Sequence, residues 1–152
     1  MHKWQRLVHV LGVFVFFCGF AGQSVRADGS VSSTNMGYGA SNLTEFRHFQ
    51  SVIGQYNASG ERFRIDSHCQ SACTMFLAIR NVCVEPSAEL LFHAGGDRAK
   101  GIISPKVTQK MLSFYKPALR QYVTANHFMD TLEFHSISGS EIIRRFGYRE
   151  CR

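Results

Sequence analysis

One stretch, residues 64–95, constrains the fold more than any other part of the chain. It reads as strand, turn, helix, strand, turn and strand, because apolar and β-branched residues fall in short runs separated by polar turns and by Pro86. The helix is predicted at 72–80. Parallel strands joined by a helix bring their ends to one edge of a sheet, where α/β proteins place their sites. The stretch therefore predicts an α/β fold with short, mostly parallel strands and flanking helices.

Two side chains with catalytic chemistry fall at the ends of these predicted strands. Ser71 lies where the first strand gives way to the helix, and His93 follows the last strand. Backbone N–H groups at a helix start favour developing negative charge, and a neighbouring histidine can take the proton of a serine. The pattern leads to the hypothesis that Ser71 is a nucleophile and His93 its general base. The alternative is structural, since serine is a preferred helix N-cap and a histidine often only donates a hydrogen bond.

The first 27 residues have the pattern of a secretory signal peptide. A basic start precedes an apolar run at 7–20, and small residues allow cleavage after Ala27. The run is shorter than the about 20 residues that span a membrane, although an uncleaved leader would remain as an anchor. Residues 28–40 are rich in Gly, Ser and Asn and are predicted to be a flexible mature N-terminus, followed by a single domain at 41–152. The predicted location is periplasmic or secreted.

Cleavage of a signal peptide would lower the net charge, and export would favour disulfides between the cysteines. Residues 1–27 hold three of the 17 Lys and Arg residues and none of the 11 acidic ones, so cleavage lowers the net charge from +6 to +3. No basic patch indicates binding of nucleic acid. Four cysteines remain, and an even number in an exported chain indicates disulfides. Three pairings are open to Cys69, Cys73, Cys83 and Cys151, and a zinc site made from cysteines and a histidine is the alternative.

Several short motifs in this region resemble a known family. They are Gly60-Glu61-Arg62, Ile65-Asp66, Cys69-Gln70-Ser71-Ala72-Cys73-Thr74, Val82-Cys83-Val84 and Phe92-His93-Ala94. With them the chain resembles exported bacterial proteins that look like compact relatives of the Clp protease proteolytic subunit, in the Clp protease/crotonase-like superfamily. The resemblance covers about residues 36–152 and implies a compact Clp protease/crotonase-like core.

The resemblance also implies a catalytic triad. In the serine peptidases of the superfamily, the serine opens a helix after a strand and the histidine follows two strands later, which are the positions of Ser71 and His93. The third member is an acid well downstream of the histidine, and Asp130 and Glu133 are the candidates. Without an orienting acid, the rate of such a site falls by about four orders of magnitude.

Two further groups are implied for the oxyanion hole. The family uses amides of a glycine turn, for which Gly37 and Gly39 are the counterparts, and the amide after the nucleophile, which is Ala72. The expected function is an exported serine hydrolase, of peptidase type, that acts on a peptide or protein without a metal or other cofactor. Active members of the family assemble into rings, so a homo-oligomer is also expected. The alternative is an inactive exported module that keeps the fold for binding or assembly.

Overall fold

Short strands, most of them parallel, organise the fold. The structure is a computed structural model that describes residues 29–31 and 43–152. The predicted signal peptide and all but three residues of the segment 28–40 lie outside the described residues. Those three residues form a strand, which the sequence analysis did not predict.

The described residues form nine strands of two to four residues each. They are β1 Gly29–Val31, β2 Phe63–Ile65, β3 His68–Gln70, β4 Val82–Val84, β5 Glu89–Phe92, β6 Gly96–Asp97, β7 Ile102–Ile103, β8 His135–Ser138 and β9 Arg149–Glu150. One parallel sheet has the order β1-β2-β4-β9. In a second sheet β5 pairs in parallel with β3 and antiparallel with β8, and β6 and β7 form a hairpin. The predicted α/β class with short, partly parallel strands is confirmed.

The helices flank these sheets. The described α-helices are α1 Leu43–Ser59, α2 Pro105–Leu112, α3 Pro117–Ala125 and α4 Gly139–Phe146, and the 3₁₀ helices are Ser71–Ala78 and Arg98–Lys100. Helix α1 follows from an apolar stripe, of which Phe46, Phe49 and Ile53 are buried. Prolines begin α2 and α3, where a missing backbone N–H costs nothing. The helix predicted at 72–80 is present from residue 71 to 78, where the chain winds as the tighter 3₁₀ helix.

The 3₁₀ helix Ser71–Ala78 lies in the middle of the core. Every residue from 71 to 77 is buried. The ring of Phe76 packs against Phe49 and Phe63, with ring centroids 5.3 Å and 4.7 Å apart. Because protein cores are close-packed, these contacts fix the helix in place. Ser71 therefore begins a segment that the core holds in place.

Two disulfides join the four cysteines of the described region. Cys69 is bonded to Cys73, and Cys83 is bonded to Cys151. The first bridge spans the residues around Ser71, and the second fixes the C-terminus to β4. Disulfides persist in oxidising compartments, so the pairs indicate an extracellular or periplasmic environment. Across residues 29–31 and 43–152, no helix has both the length and the apolar character needed to cross a membrane.

Candidate active site

Ser71 lies at a sharp junction between β3 and the 3₁₀ helix. Its φ angle is 57°, in the left-handed region that side chains other than glycine rarely adopt. The N-cap of the helix is Gln70, whose side chain makes no capping hydrogen bond. Ser71 opens the 3₁₀ segment with a backbone angle that is not helical, which a catalytic serine and a capping serine both allow. Left-handed non-glycine residues concentrate at functional sites, and a serine on a strained strand-to-helix turn is typical of nucleophile elbows.

Two buried hydroxyl groups hold the backbone of Ser71. The Thr74 hydroxyl donates to the Ser71 carbonyl at 2.7 Å and is itself 2.6 Å from the Tyr115 hydroxyl. Because the single Thr74 proton is used on the carbonyl, Tyr115 is the donor in the second bond. Burial raises the pKa of Tyr115 above its ordinary value, so the phenol keeps the proton that it donates. These two hydrogen bonds were not predicted from the sequence. A threonine three residues after a serine is, however, a common position for a hydrogen bond from the side chain to the backbone.

The strand register brings His93 to the same place as Ser71. In the parallel pair β3–β5, Gln70 lies opposite Leu91. Ser71 follows the first of these residues directly, and His93 comes two positions after the second. Parallel strands end at the same edge of the sheet, so both side chains emerge there.

His93 is buried, with 4% of its surface exposed. Burial lowers the pKa of His93, the neighbouring Ala94 backbone opposes that effect, and the positive charge of Arg98 lowers the pKa further. A histidine with a lowered pKa is neutral at pH 7 and can accept a proton. Its Nδ1 atom is buried and has no hydrogen-bond partner. The ring can therefore serve as a base, and no carboxylate of residues 46–152 is bonded to Nδ1 to orient it.

An aromatic ring and a cation occupy the surroundings of His93. The Phe134 ring meets the imidazole edge to face, with centroids 4.9 Å apart. The Arg98 guanidinium lies 4.4 Å from the Phe134 centroid, and its Nε donates to the Leu132 carbonyl at 3.0 Å. Sequence reasoning did not single out either residue, because Arg98 begins a 3₁₀ helix of three residues and Phe134 lies outside the helices and strands.

Most of the predicted site residues line one cavity of about 890 Å³. Ser71, Ala72 and His93 contribute to its wall, and apolar side chains such as Val107 and Met111 line it as well. Ligand sites are commonly concave and apolar with a few polar groups, which is the character of this cavity. Ala72 belongs to the first turn of the 3₁₀ helix, where backbone N–H groups lack an intrahelical acceptor. The other predicted oxyanion groups, Gly37 and Gly39, lie outside the described residues.

The two candidate acids line the same cavity but do not bind His93. Asp130 is exposed, and its Oδ2 is 2.7 Å from Nδ1 of His127. Glu133 is also exposed, and its backbone N–H donates to the Thr131 hydroxyl. Within residues 46–152, no carboxylate therefore takes the position of an orienting acid at Nδ1 of His93. Of the residues predicted for a triad, Ser71 and His93 line this cavity, and neither candidate acid contacts the histidine.

The zinc alternative is not supported by this geometry. All four cysteines of the described region are oxidised in disulfides and have no thiolate to offer a metal. Among residues 29–31 and 43–152, no group of three or more His, Cys, Asp and Glu residues is arranged to hold a metal ion.

Comparison of the chain with protein-family models, with curated proteins and with solved structures gives no match. The assignment of a function therefore depends on the chemistry of the cavity and its two central side chains.

Proposed function

We propose that the protein is an exported serine hydrolase of the Clp protease-like type, acting on a peptide or protein. The observation that carries the proposal is the left-handed Ser71 at a strand-to-helix junction, lining the same cavity as a buried histidine with a lowered pKa. Backbone strain and a shifted pKa both concentrate at catalytic sites, and here they occur together. The disulfides support export, either to the periplasm or out of the cell.

The mechanism assigns one role to each group. Ser71 Oγ attacks the acyl carbon of the substrate while Nε2 of His93 takes the hydroxyl proton. The negative charge on the carbonyl oxygen is stabilised by the Ala72 N–H at the start of the 3₁₀ helix. The imidazolium then gives its proton to the leaving group, and water releases the acyl group from the serine by the same steps.

The state of Nδ1 sets the expected speed of this reaction. Base catalysis by Nε2 requires the proton of the neutral ring to be on Nδ1, and no carboxylate of residues 46–152 is bonded to Nδ1 to hold it there. Loss of the orienting acid lowers the rate of a serine–histidine–acid site by about four orders of magnitude, while a substantial residual rate remains. We therefore expect slow turnover, measurable by covalent labelling more readily than by product formation.

The test is labelling with a fluorophosphonate probe. Wild-type protein with intact disulfides should label in a time-dependent manner, and Ser71→Ala and His93→Gln should not. Ser67→Ala is the matched control, because it removes a hydroxyl four residues upstream and should label like the wild type. Labelling that persists in Ser71→Ala would refute the proposal.

A second function is favoured by the same unpartnered Nδ1 atom. A histidine without an orienting acid fits an inactive exported module, which keeps the fold for binding or for assembly with further copies. This function predicts that folded wild-type protein does not react with the probe at any pH between 6 and 9. Self-association does not separate the two functions, so probe reactivity decides between them.

A further inference from the structure

The Cys69–Cys73 disulfide encloses Ser71 symmetrically. Cys69 is the middle residue of β3 and pairs with Leu90 of β5, so the sheet fixes its position. Cys73 is the third residue of the 3₁₀ helix. The bridge links residues four apart in sequence and holds their Cα atoms 5.3 Å from each other, with Ser71 at the centre of the loop.

The bridge excludes an extended conformation at Ser71. An extended chain covers about 13 Å over four residues, at about 3.3 Å per residue. A disulfide requires Cα atoms between about 4.4 and 6.8 Å apart, so the chain must reverse between Cys69 and Cys73. Gln70 is still extended, with φ −108° and ψ 152°, and the reversal falls on Ser71 at φ 57°. A relaxed serine in the extended region would continue β3 and separate the two cysteines.

The other restraints on Ser71 are noncovalent. The Thr74 hydroxyl fixes only the Ser71 carbonyl, and it does so through one hydrogen bond. The packing of Phe76 fixes the helix beyond the turn, but it does not determine how the chain enters the helix. The bridge is the covalent link that spans both sides of the serine.

The two disulfides differ in what they can contribute. The entropy gained by closing a loop grows with its length, so the Cys83–Cys151 bridge, which spans 68 positions, restrains the unfolded chain more than the short bridge does. The short bridge contributes less to global stability. Its main effect is to restrict the backbone conformation of the enclosed Ser71.

From this geometry we propose that Cys69 and Cys73 are positioning residues, whose disulfide holds Ser71 in the left-handed conformation that directs its hydroxyl into the cavity. The site is then competent only in oxidised protein. This inference rests on the proposed hydrolase function for its catalytic consequence, while its structural part, the conformation of Ser71, can be measured without any activity.

The test compares two double variants. Cys69→Ala/Cys73→Ala should lower the maximum labelling rate by at least tenfold and leave the half-saturating probe concentration within about twofold, because the cavity walls remain. Cys83→Ala/Cys151→Ala is the matched control, and it should lose more stability while labelling at the wild-type maximum rate. In parallel, backbone NMR couplings at Ser71 should report positive φ in the wild type and in the control, and negative φ in Cys69→Ala/Cys73→Ala.

If a cysteine variant does not fold, graded reduction of the wild-type protein tests the same proposal. Dithiothreitol gives two electrons and two protons to a bridge, which opens as two thiols, and is itself oxidised to a cyclic disulfide. Mass spectrometry after alkylation shows which bridge has opened. Loss of labelling should follow opening of Cys69–Cys73 and should reverse on reoxidation.

The outcomes separate this inference from the proposed function. Wild-type protein that never labels refutes the hydrolase, and the couplings at Ser71 then decide the positioning role alone. Equal labelling and positive φ in the wild type and in Cys69→Ala/Cys73→Ala overturn the inference and leave the hydrolase standing. Faster labelling after the bridge is removed also overturns it, because the disulfide would then restrain the serine from reacting.

Discussion

Replacing Ser71 with glycine should make the protein more stable while it removes the nucleophile. The left-handed region costs a residue with a Cβ atom about 1–2 kcal/mol, and glycine adopts it freely. Glycine also increases the entropy of the unfolded chain, which offsets about 0.4–1 kcal/mol of that gain. Ser71→Gly should therefore exceed Ser71→Ala in free energy of unfolding by about 0.5–1 kcal/mol. Both variants lack the hydroxyl, so their difference isolates the backbone strain at φ 57°.

Urea and thermal unfolding measure this difference, which corresponds to a shift of about 2–5 °C in Tm for a domain of this size. Gly60→Ala is the calibrating variant, because Gly60 has φ 74° and no atom lies within 4 Å of the position that an added Cβ would take. It should be destabilised by a similar amount, about 1 kcal/mol, through the same conformational term. If Ser71→Gly is no more stable than Ser71→Ala while Gly60→Ala is destabilised, then Ser71 is not held under strain and the elbow interpretation fails.

Three further changes test other parts of the structure. Cys83→Ser/Cys151→Ser should lower the free energy of unfolding in urea by about 4 kcal/mol, the loop-closure value for a bridge across 68 positions, and a loss below about 1 kcal/mol would contradict that origin. Burial lowers the pKa of His93 in the folded state, so the unfolded chain takes up its proton first, near pH 6.5. Wild-type stability should therefore fall as the pH drops from 7.5 to 5, less steeply in His93→Gln, and equal slopes would show that this histidine is not buried in its neutral form. Tyr115→Phe removes the donor to Thr74 and should cost about 1 kcal/mol in thermal unfolding, with no loss expected if that hydrogen bond is absent.

Local patterns in the sequence were enough to predict the class of fold. The apolar stripe of α1 repeats over four turns, and strand β5 contains the apolar run Leu90-Leu91-Phe92 directly before His93. Strands of two or three residues, such as β1 and β9, are too short to carry any period, and only their pairing partners define them. The 3₁₀ winding from residue 71 was also missed, because it depends on burial and on a covalent bridge rather than on helix propensity.

The sequence likewise predicts some residues of the candidate site and not others. Ser71 and His93 could be selected because each stands at the end of a predicted element, and the structure brings both to one cavity. The disulfide pairing could not be selected, since four cysteines allow three arrangements that only three-dimensional proximity distinguishes. The surroundings of His93 could not be predicted from the sequence, because Phe134 and Arg98 are far apart in the chain and meet only in the folded structure.

The most direct test of the central claim is to locate the probe adduct by mass spectrometry. Trypsin releases residues 65–80 as one peptide after reduction, and this peptide contains both Ser67 and Ser71. Fragmentation of the labelled peptide distinguishes the two serines within a single spectrum. The account predicts an adduct on Ser71 that is absent from His93→Gln. An adduct on Ser67, or equal labelling of Ser71 in His93→Gln, would contradict a serine activated by that histidine.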